Sequence, residues 1–424
     1  MTDVAATGTD AVFLAPIVPG ATGNGLAMRA GMLLEALASE VAVHVVVVPV
    51  SGPADDCSWA SARAASVSIV DPVSAATARD NLTRQLADPV LRGRLEQASP
   101  LPARATLAPP TLAREVAAVL PATAIPPAVV IALRTYLAPL AIELGRRLGA
   151  GRVVVDADDD DAAVLLALGE AHEASAFERL VRCWLPEADA VFAASAIDAE
   201  QLAARADLDI VGVVPNAVAM AASMPAPPGR QRLIFVGNLT YEPNRRAARL
   251  LVEAVLPRVR ATHPRVTLDL VGPHDIGLSD LADAGGIRLV GGVPDVAPFY
   301  AGADVVTAPL LEGAGTRIKV LEAFAHQRPV VATAAAVRGL DVRDGIEALV
   351  TDEDPEALAR AVRALLDSPT RGAELVAAAG ALLAARYTPA VVAPLVRAAI
   401  LGADTPQSGS PEPGPHASGR GSTP

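Results

Sequence analysis

The chain has 424 residues, 52% of them hydrophobic, which is enough apolar material for two cores of ordinary domain size, so two domains are expected. A formal charge of −12 and a pI near 5.0 argue against a nucleic-acid partner, whose phosphates the average surface would repel, and leave small molecules as better candidates. Cys57 and Cys183 are too few and too far apart for a disulfide framework or closely spaced metal ligands; no structural metal is expected, and the chain fits a reduced cytoplasm.

The N-terminal residues MTDVAATGTDAVFLAPIVPG lack a basic leader, and Pro16 and Pro19 break their apolar run, so they read as a first strand and not as a signal peptide. No apolar run reaches roughly 18 residues without a charge, a proline or strand-like breaks, and no membrane span is expected. Strand Ala11 to Ala15, the turn PIVPGATGNG, the helix pattern LAMRAGMLLEALA and strand Val43 to Val48 form a βαβ unit. Gly20, Gly23 and Gly25 sit in its strand-to-helix turn, where a ligand phosphate or sugar can come close to the backbone. Their spacing is not the Gly-x-Gly-x-x-Gly fingerprint, and no acidic residue ends the second strand, so a dinucleotide site is not expected there.

From Ser51 to Pro127 the pattern weakens to a loop around Cys57 and Trp59, a strand at Ala65 to Val70, and helical pieces interrupted by LPARATLAPP. Strand Ala128 to Leu133 then delivers Arg134 and Tyr136 to its carboxyl end, before a helix from about Leu137 to Leu148. Arg134 is placed either for ligand contact or for pairing with a nearby aspartate cluster. That cluster, DADDDD at Asp156 to Asp161, follows strand Arg152 to Val155 and reads as a solvated turn and helix N-cap. The alternating ligand spacing of a calcium loop is absent from it.

Ala190 to Ala194 and Ile210 to Val214 are further strands, and the unpatterned AVAMAASMPAPPGRQ after them marks an interdomain linker. Strands at Leu233 to Val236, Val266 to Val271, Ile287 to Val290, Val305 to Ala308, Pro329 to Ala332 and Ala348 to Thr351 alternate with helices, one of them Arg245 to Arg260, entered through Pro243. Such alternation implies parallel sheets with helices on both faces and ligand-binding loops at the strands' carboxyl ends. A last helix runs from Thr388 to about Leu401. The tail DTPQSGSPEPGPHASGRGSTP has no apolar periodicity and is expected to be disordered, so truncation after about Ala403 should leave folding and activity intact.

The stretch APLLEGAGTRIKVLEAFA at Ala308 to Ala325 is a strand end, a glycine-hinged turn and a helix. Gly313 and Gly315 let consecutive N–H groups point at one anion, at a helix end that carries partial positive charge. Arg317 and Lys319 lie in the first turn, and Lys319 is the one lysine among 35 basic residues. A compact ammonium kept only here suits phosphate neutralisation. Lys319 and Glu322, three apart, share a face; an ordinary amphipathic helix with a surface Lys–Glu pair is the plain alternative.

With VPNA at Val214 to Ala217, FVGNLTYEPN at Phe235 to Asn244, Val271 to Pro273, GGVPDVAPFY at Gly291 to Tyr300 and GAGTRIKVLEAFA, the second half resembles the glycosyltransferase family 4 group (glycosyl transferases group 1). The match covers about Val213 to Tyr387; the first half matches only loosely. The resemblance implies a GT-B fold, an α/β architecture of two Rossmann-like doubly wound domains facing across a cleft. An acceptor-side domain would span 1–218, with 388–402 as its return helix, a nucleotide-sugar domain 219–387 and a disordered tail 403–424. The function implied is retaining transfer of a sugar from a nucleotide diphosphate sugar to an acceptor that is a glycan, lipid-linked or a small molecule.

By the same resemblance Glu322 matches the second glutamate of the family's Glu, seven residues, Glu signature and would hold the donor ribose. Arg317 and Lys319 would hold the diphosphate, with Gly313, Gly315, Thr316 and Asn238 lining the donor site. The backbone of Gly291, Gly292 and Val293 would border the base, and Gly23 and Gly25 would approach phosphate and sugar from the other domain. Arg29, Arg134 and Asp158 are the acceptor-side candidates. The leaving diphosphate would assist deprotonation of the acceptor, with no metal and no cofactor. The family's Arg and Lys after the first strand of the donor domain are absent here, and the first signature glutamate falls on Ala314, with Glu312 as its substitute. Two other functions stay open: a non-catalytic nucleotide-sugar-binding partner subunit, or a nucleotide-sugar epimerase using His274 or Asp275. The location expected is cytoplasmic, with a peripheral place on the inner membrane face also open.

Overall fold

The computed structural model describes residues 10–71, 101–122, 125–222, 224–283, 285–311 and 317–402; Glu312, Gly313, Ala314, Gly315 and Thr316, and the tail, lie outside the described residues. Two parallel sheets organise it. The first contains β1 (Ala11–Ala15), β2 (Val43–Val47), β3 (Ser66–Ile69), β4 (Val129–Leu133), β5 (Arg152–Asp158), β6 (Ala190–Ala193) and β7 (Gly212–Val213), in the order β3-β2-β1-β4-β5-β6-β7. The second contains β8 (Arg232–Val236), β9 (Thr267–Val271), β10 (Ile287–Gly291), β11 (Val305–Ala308), β12 (Val330–Thr333) and β13 (Leu349–Thr351), in the order β10-β9-β8-β11-β12-β13. Near-continuous apolar runs such as AVFLA and VVIAL are what strands covered on both faces need.

In both sheets the strand order reverses beside the first strand, between β1 and β4 and between β8 and β11. At these switch points the loops leaving the carboxyl ends diverge and open a crevice for ligand. The loops that line the two crevices carry the glycine turn, Arg134 and Asn238, and Arg317 stands at the start of the helix after β11.

Helix α1 (Gly25–Ala38) starts at Asn24, whose side chain accepts from the Ala27 N–H at 2.9 Å, and it buries Leu33, Leu34 and Leu37 against the first sheet. Helix α2 (Asp161–Ala167) is capped by Asp160, which accepts from the N–H groups of Ala162 and Ala163. Helix α3 (Glu242–Arg249) continues through a π-helical stretch, Leu250–Val255, into Leu256–Arg260. The single helix expected over Arg245 to Arg260 therefore begins earlier and is locally widened. Pro257 has no N–H to give back to Glu253 and its ring crowds that carbonyl, which favours the wider turn.

Helix α4 (Ile318–Ala325) buries Ile318, Val320, Leu321 and Phe324 and leaves Lys319 and Glu322 on its half-buried side. Helix α5 (Pro389–Leu401) returns to the first sheet, where Val392, Val396 and Ile400 are fully buried in the core that contains Leu33 and Leu37. Arg152 Nη1 donates to the Ile400 carbonyl at 3.3 Å. By length and composition Pro369–Leu401 is apolar enough to cross a membrane, but the chain uses it for packing, with Leu375 and Leu383 in the second domain's core and Val392 and Val396 in the first's. Three buried aliphatic side chains at about 1.5–3 kcal/mol each make α5 indispensable. Deleting Pro389–Leu401 is expected to lower the melting temperature of the whole chain; an unchanged calorimetric transition would show that α5 does not dock in solution.

β5 runs on to Asp158, so the aspartates at 156 and 158 lie in a strand, and Asp156, Asp158, Asp159, Asp160 and Asp161 are at most 7% exposed. The cluster is not a solvated turn, although its helix N-cap at Asp160 is present. Arginines from elsewhere in the chain make its burial tolerable.

Candidate active site

The two switch points face each other. A Cβ added to Gly339 of the second domain would lie 2.7 Å from Ser195 Cβ of the first, and Met28 of α1 packs against the second domain's core. Between them is a cavity of about 20 Å³, with Asp159, Asp198 and Asn216 on one side and Arg317 and Arg338 on the other. This is room for a water molecule, far less than a diphosphate needs.

Lys319 forms no salt bridge among the described residues. Its Nζ donates to Asn244 Oδ1 at 2.6 Å and stands 5.4 Å from the centroid of the Phe235 ring. The reading of a surface Lys–Glu pair is thereby set aside: both residues are half-buried, and the ammonium reaches across to α3. Burial and the nearby Arg317 push Lys319 down to about 7, with Glu322 opposing. Burial pushes Glu322 up to about 7, opposed by Lys319. Arg317, 8% exposed, is pulled down by burial and held up by Asp159 and Asp198 across the cleft.

These shifts carry signs for stability. Between about pH 7 and 10.5 the unfolded chain holds a proton on Lys319 that the folded chain has lost, so this group adds stability as pH rises through that window. Between about 4.5 and 7 the folded chain holds the extra proton on Glu322, whose contribution falls as pH rises. Both costs meet near pH 7. The gain in melting temperature of Lys319→Met/Glu322→Gln over wild type is expected to be largest there; a difference that is flat from pH 5 to 9 would contradict it.

On the first domain, Arg29 is fully buried, with Nε and Nη2 on the two oxygens of Asp156 at 2.7 and 2.8 Å, and with Asn216 and the Val214 carbonyl as further acceptors. Its guanidinium is engaged inside the domain. Arg134 pairs with Asp158, Asp159 and Asp161, the second of the two roles the sequence leaves open for it. Arg134 and Asp158 both take positive φ, 79° and 62°, where strands β4 and β5 end. Such strain in non-glycine residues persists only where the surroundings enforce it, and it collects at functional sites. Burial and Asp159 beside it hold Asp158 well above the usual carboxylate range, against the opposing pull of Arg29 and Arg134.

The glycine turn of the first domain is open to ligand. Gly23, at φ 115°, is exposed, and a side chain on Gly31 of α1 would collide with the Gly20 carbonyl at 2.2 Å, which is why the helix can pack against its own entry loop. In the second domain a Cβ on Gly272 would sit 1.8 Å from the Gly237 carbonyl oxygen, so the loops after β8 and β9 touch through glycine alone. Gly272 N–H donates to the Gly291 carbonyl at 2.9 Å, which brings the Gly291, Gly292 and Val293 backbone to the same rim. The Asn238 side chain accepts from the Thr240 N–H and hydroxyl and is thus committed to its own loop. Sequence reading passed over Asn244, Asp198 and Arg338. Only Asn244 had a signal, as the last residue of FVGNLTYEPN.

Residues 230–368 match the family model described as Glycosyl transferases group 1, so the second domain is a domain of that kind. No curated protein matches the chain in sequence. Among solved structures, Anabaena HepE in complex with UDP and glucose aligns with a TM-score of 0.62 at 14% identity, covering 91% of this chain and 97% of that one. Sucrose-phosphate synthase from Thermosynechococcus elongatus gives 0.64 at 16%, covering 91% and 97%. A glycosyltransferase from Rickettsia africae gives 0.61 at 12%, covering 92% and 98%. These likenesses establish the two-domain GT-B fold over nearly the whole chain.

Proposed function

We propose that this glycosyltransferase moves a sugar from a nucleotide diphosphate sugar, with retention of anomeric configuration, to an acceptor held mainly by the first domain. The observation that carries the reading is Lys319: a half-buried ammonium beside Arg317, at the second sheet's switch point, bonded to a neutral amide and, among the described residues, to no carboxylate. A desolvated pair of cations gains most from an anion, and charge developing on a departing diphosphate is the charge it can stabilise. Glu322, on the same side of α4, would hold the ribose hydroxyls. The UDP and glucose in the HepE structure make UDP-sugars the first donors to test.

In this reading the domains part to admit the donor, whose diphosphate takes over from Asp159 and Asp198 as the negative charge facing Arg317. Lys319 and Arg317 supply the positive charge at the leaving group, and the diphosphate oxygen takes the acceptor's proton. A thermal-shift screen of nucleotide sugars, followed by NMR of the anomeric proton of any product, tests this. The expected result is stabilisation by one donor and a product that keeps its anomeric configuration. An inverted product would overturn the retaining mechanism, and binding without turnover would fit the partner-subunit reading instead.

A further inference from the structure

Resting on that donor-site reading, we propose that Asn244 is a positioning residue: it holds the Lys319 ammonium at the donor diphosphate through a neutral contact and so leaves its charge for the ligand. Asn244 lies in the first turn of α3 and is 6% exposed. Its Nδ2 donates to the Asn238 carbonyl at 2.8 Å, and its Oδ1 accepts from Lys319 Nζ at 2.6 Å. These two bonds fix the amide's orientation, because the reverse flip would set an NH₂ against the ammonium and an oxygen against a carbonyl. The loop behind it leaves no slack, since a Cβ on Gly237 would meet Nδ2 at 3.1 Å.

The choice of an amide has a physical consequence. A carboxylate at 244 would form an ion pair with Lys319 and cancel the field that the diphosphate is to meet. An apolar side chain would leave a buried donor without an acceptor and free to turn away. The amide and the Phe235 ring face do neither: they orient the cation without neutralising it. The low proton affinity of Lys319 agrees with this: burial and the repulsion from Arg317 outweigh the opposing pull of Glu322, and among the described residues no carboxylate bonds to Nζ.

Inorganic pyrophosphate, which reports the diphosphate subsite whatever the base, is the probe, titrated calorimetrically from pH 6 to 9 into wild type, Asn244→Asp, Asn244→Ala, Lys319→Ala and the Lys319→Ala/Asn244→Ala double variant. Wild-type affinity is expected to fall as pH rises past the Lys319 midpoint. Asn244→Asp, nearly isosteric, should bind about 10-fold more weakly at pH 6.5 and move that midpoint upward, and the double variant should bind no more weakly than Lys319→Ala alone. A merely structural Asn244 would lower the melting temperature but leave the midpoint in place and give additive losses, and that outcome overturns the proposal. Should Asn244→Ala fail to fold, the Asn244→Asp midpoint decides alone. A wild-type protein that binds neither pyrophosphate nor UDP would overturn the donor-site reading itself, and the role of Asn244 with it.

Discussion

Arg29→Ala is expected to destabilise the chain by roughly 3–5 kcal/mol, the cost of removing one partner from a buried ion pair. Arg29 and Asp156 are both fully buried, and the guanidinium grips the carboxylate with two bonds. The same side chain donates to the Val214 carbonyl and to Asn216, so it ties α1 to β5 and to the segment that leads into the linker. Without it Asp156 keeps its desolvation and loses its largest compensation. Arg29→Lys should recover little, since an ammonium cannot reproduce the fork. Urea denaturation reads the effect. A variant that unfolds within about 1 kcal/mol of wild type and yet loses transfer would instead return Arg29 to the acceptor side, where it stands as a candidate.

Lys319→Ala is expected to weaken binding of a nucleoside diphosphate such as UDP by roughly 1.5–3 kcal/mol, the range for hydrogen bonds to charged groups. Lys319→Arg should restore only part of it, because the planar fork is not a compact point charge and Asn244 is set for one donor. The empty protein should lose no more than about 1 kcal/mol of stability, since the wild-type ammonium makes no ion pair among the described residues. Equal UDP affinities in calorimetric titrations of wild type and Lys319→Ala would refute the role assigned to it.

What could be read from the sequence follows from the range of the forces involved. The buried strands were legible because their apolar runs record burial on both faces locally: β1 and β11 begin and end where the pattern placed them. The edge was less legible. Ile210 was expected in the last strand of the first domain, but pairing shrinks to Gly212–Val213 and leaves Ile210 82% exposed. Asp156 to Asp161 misled because charge next to charge reads as solvent-exposed, whereas its burial depends on Arg29, 127 residues before Asp156. Asn244 and Lys319 lie 75 residues apart, and no local pattern shows that an amide on α3 will meet an ammonium on α4. Asp198 comes near Arg317 and Arg338 only where the two domains meet, which no local pattern records.

The single lysine makes the central claim directly measurable. In protein labelled with ¹⁵N at the lysine Nζ and ¹³C at Cε, and carrying no lysine in any affinity tag, one side-chain signal reports Lys319 alone. The account predicts that in the empty protein this signal titrates near 7, well below the usual 10.5, and that saturating UDP or pyrophosphate moves the midpoint upward by at least about one unit as the diphosphate draws the proton back. A midpoint near 10.5 that neither ligand shifts would contradict it.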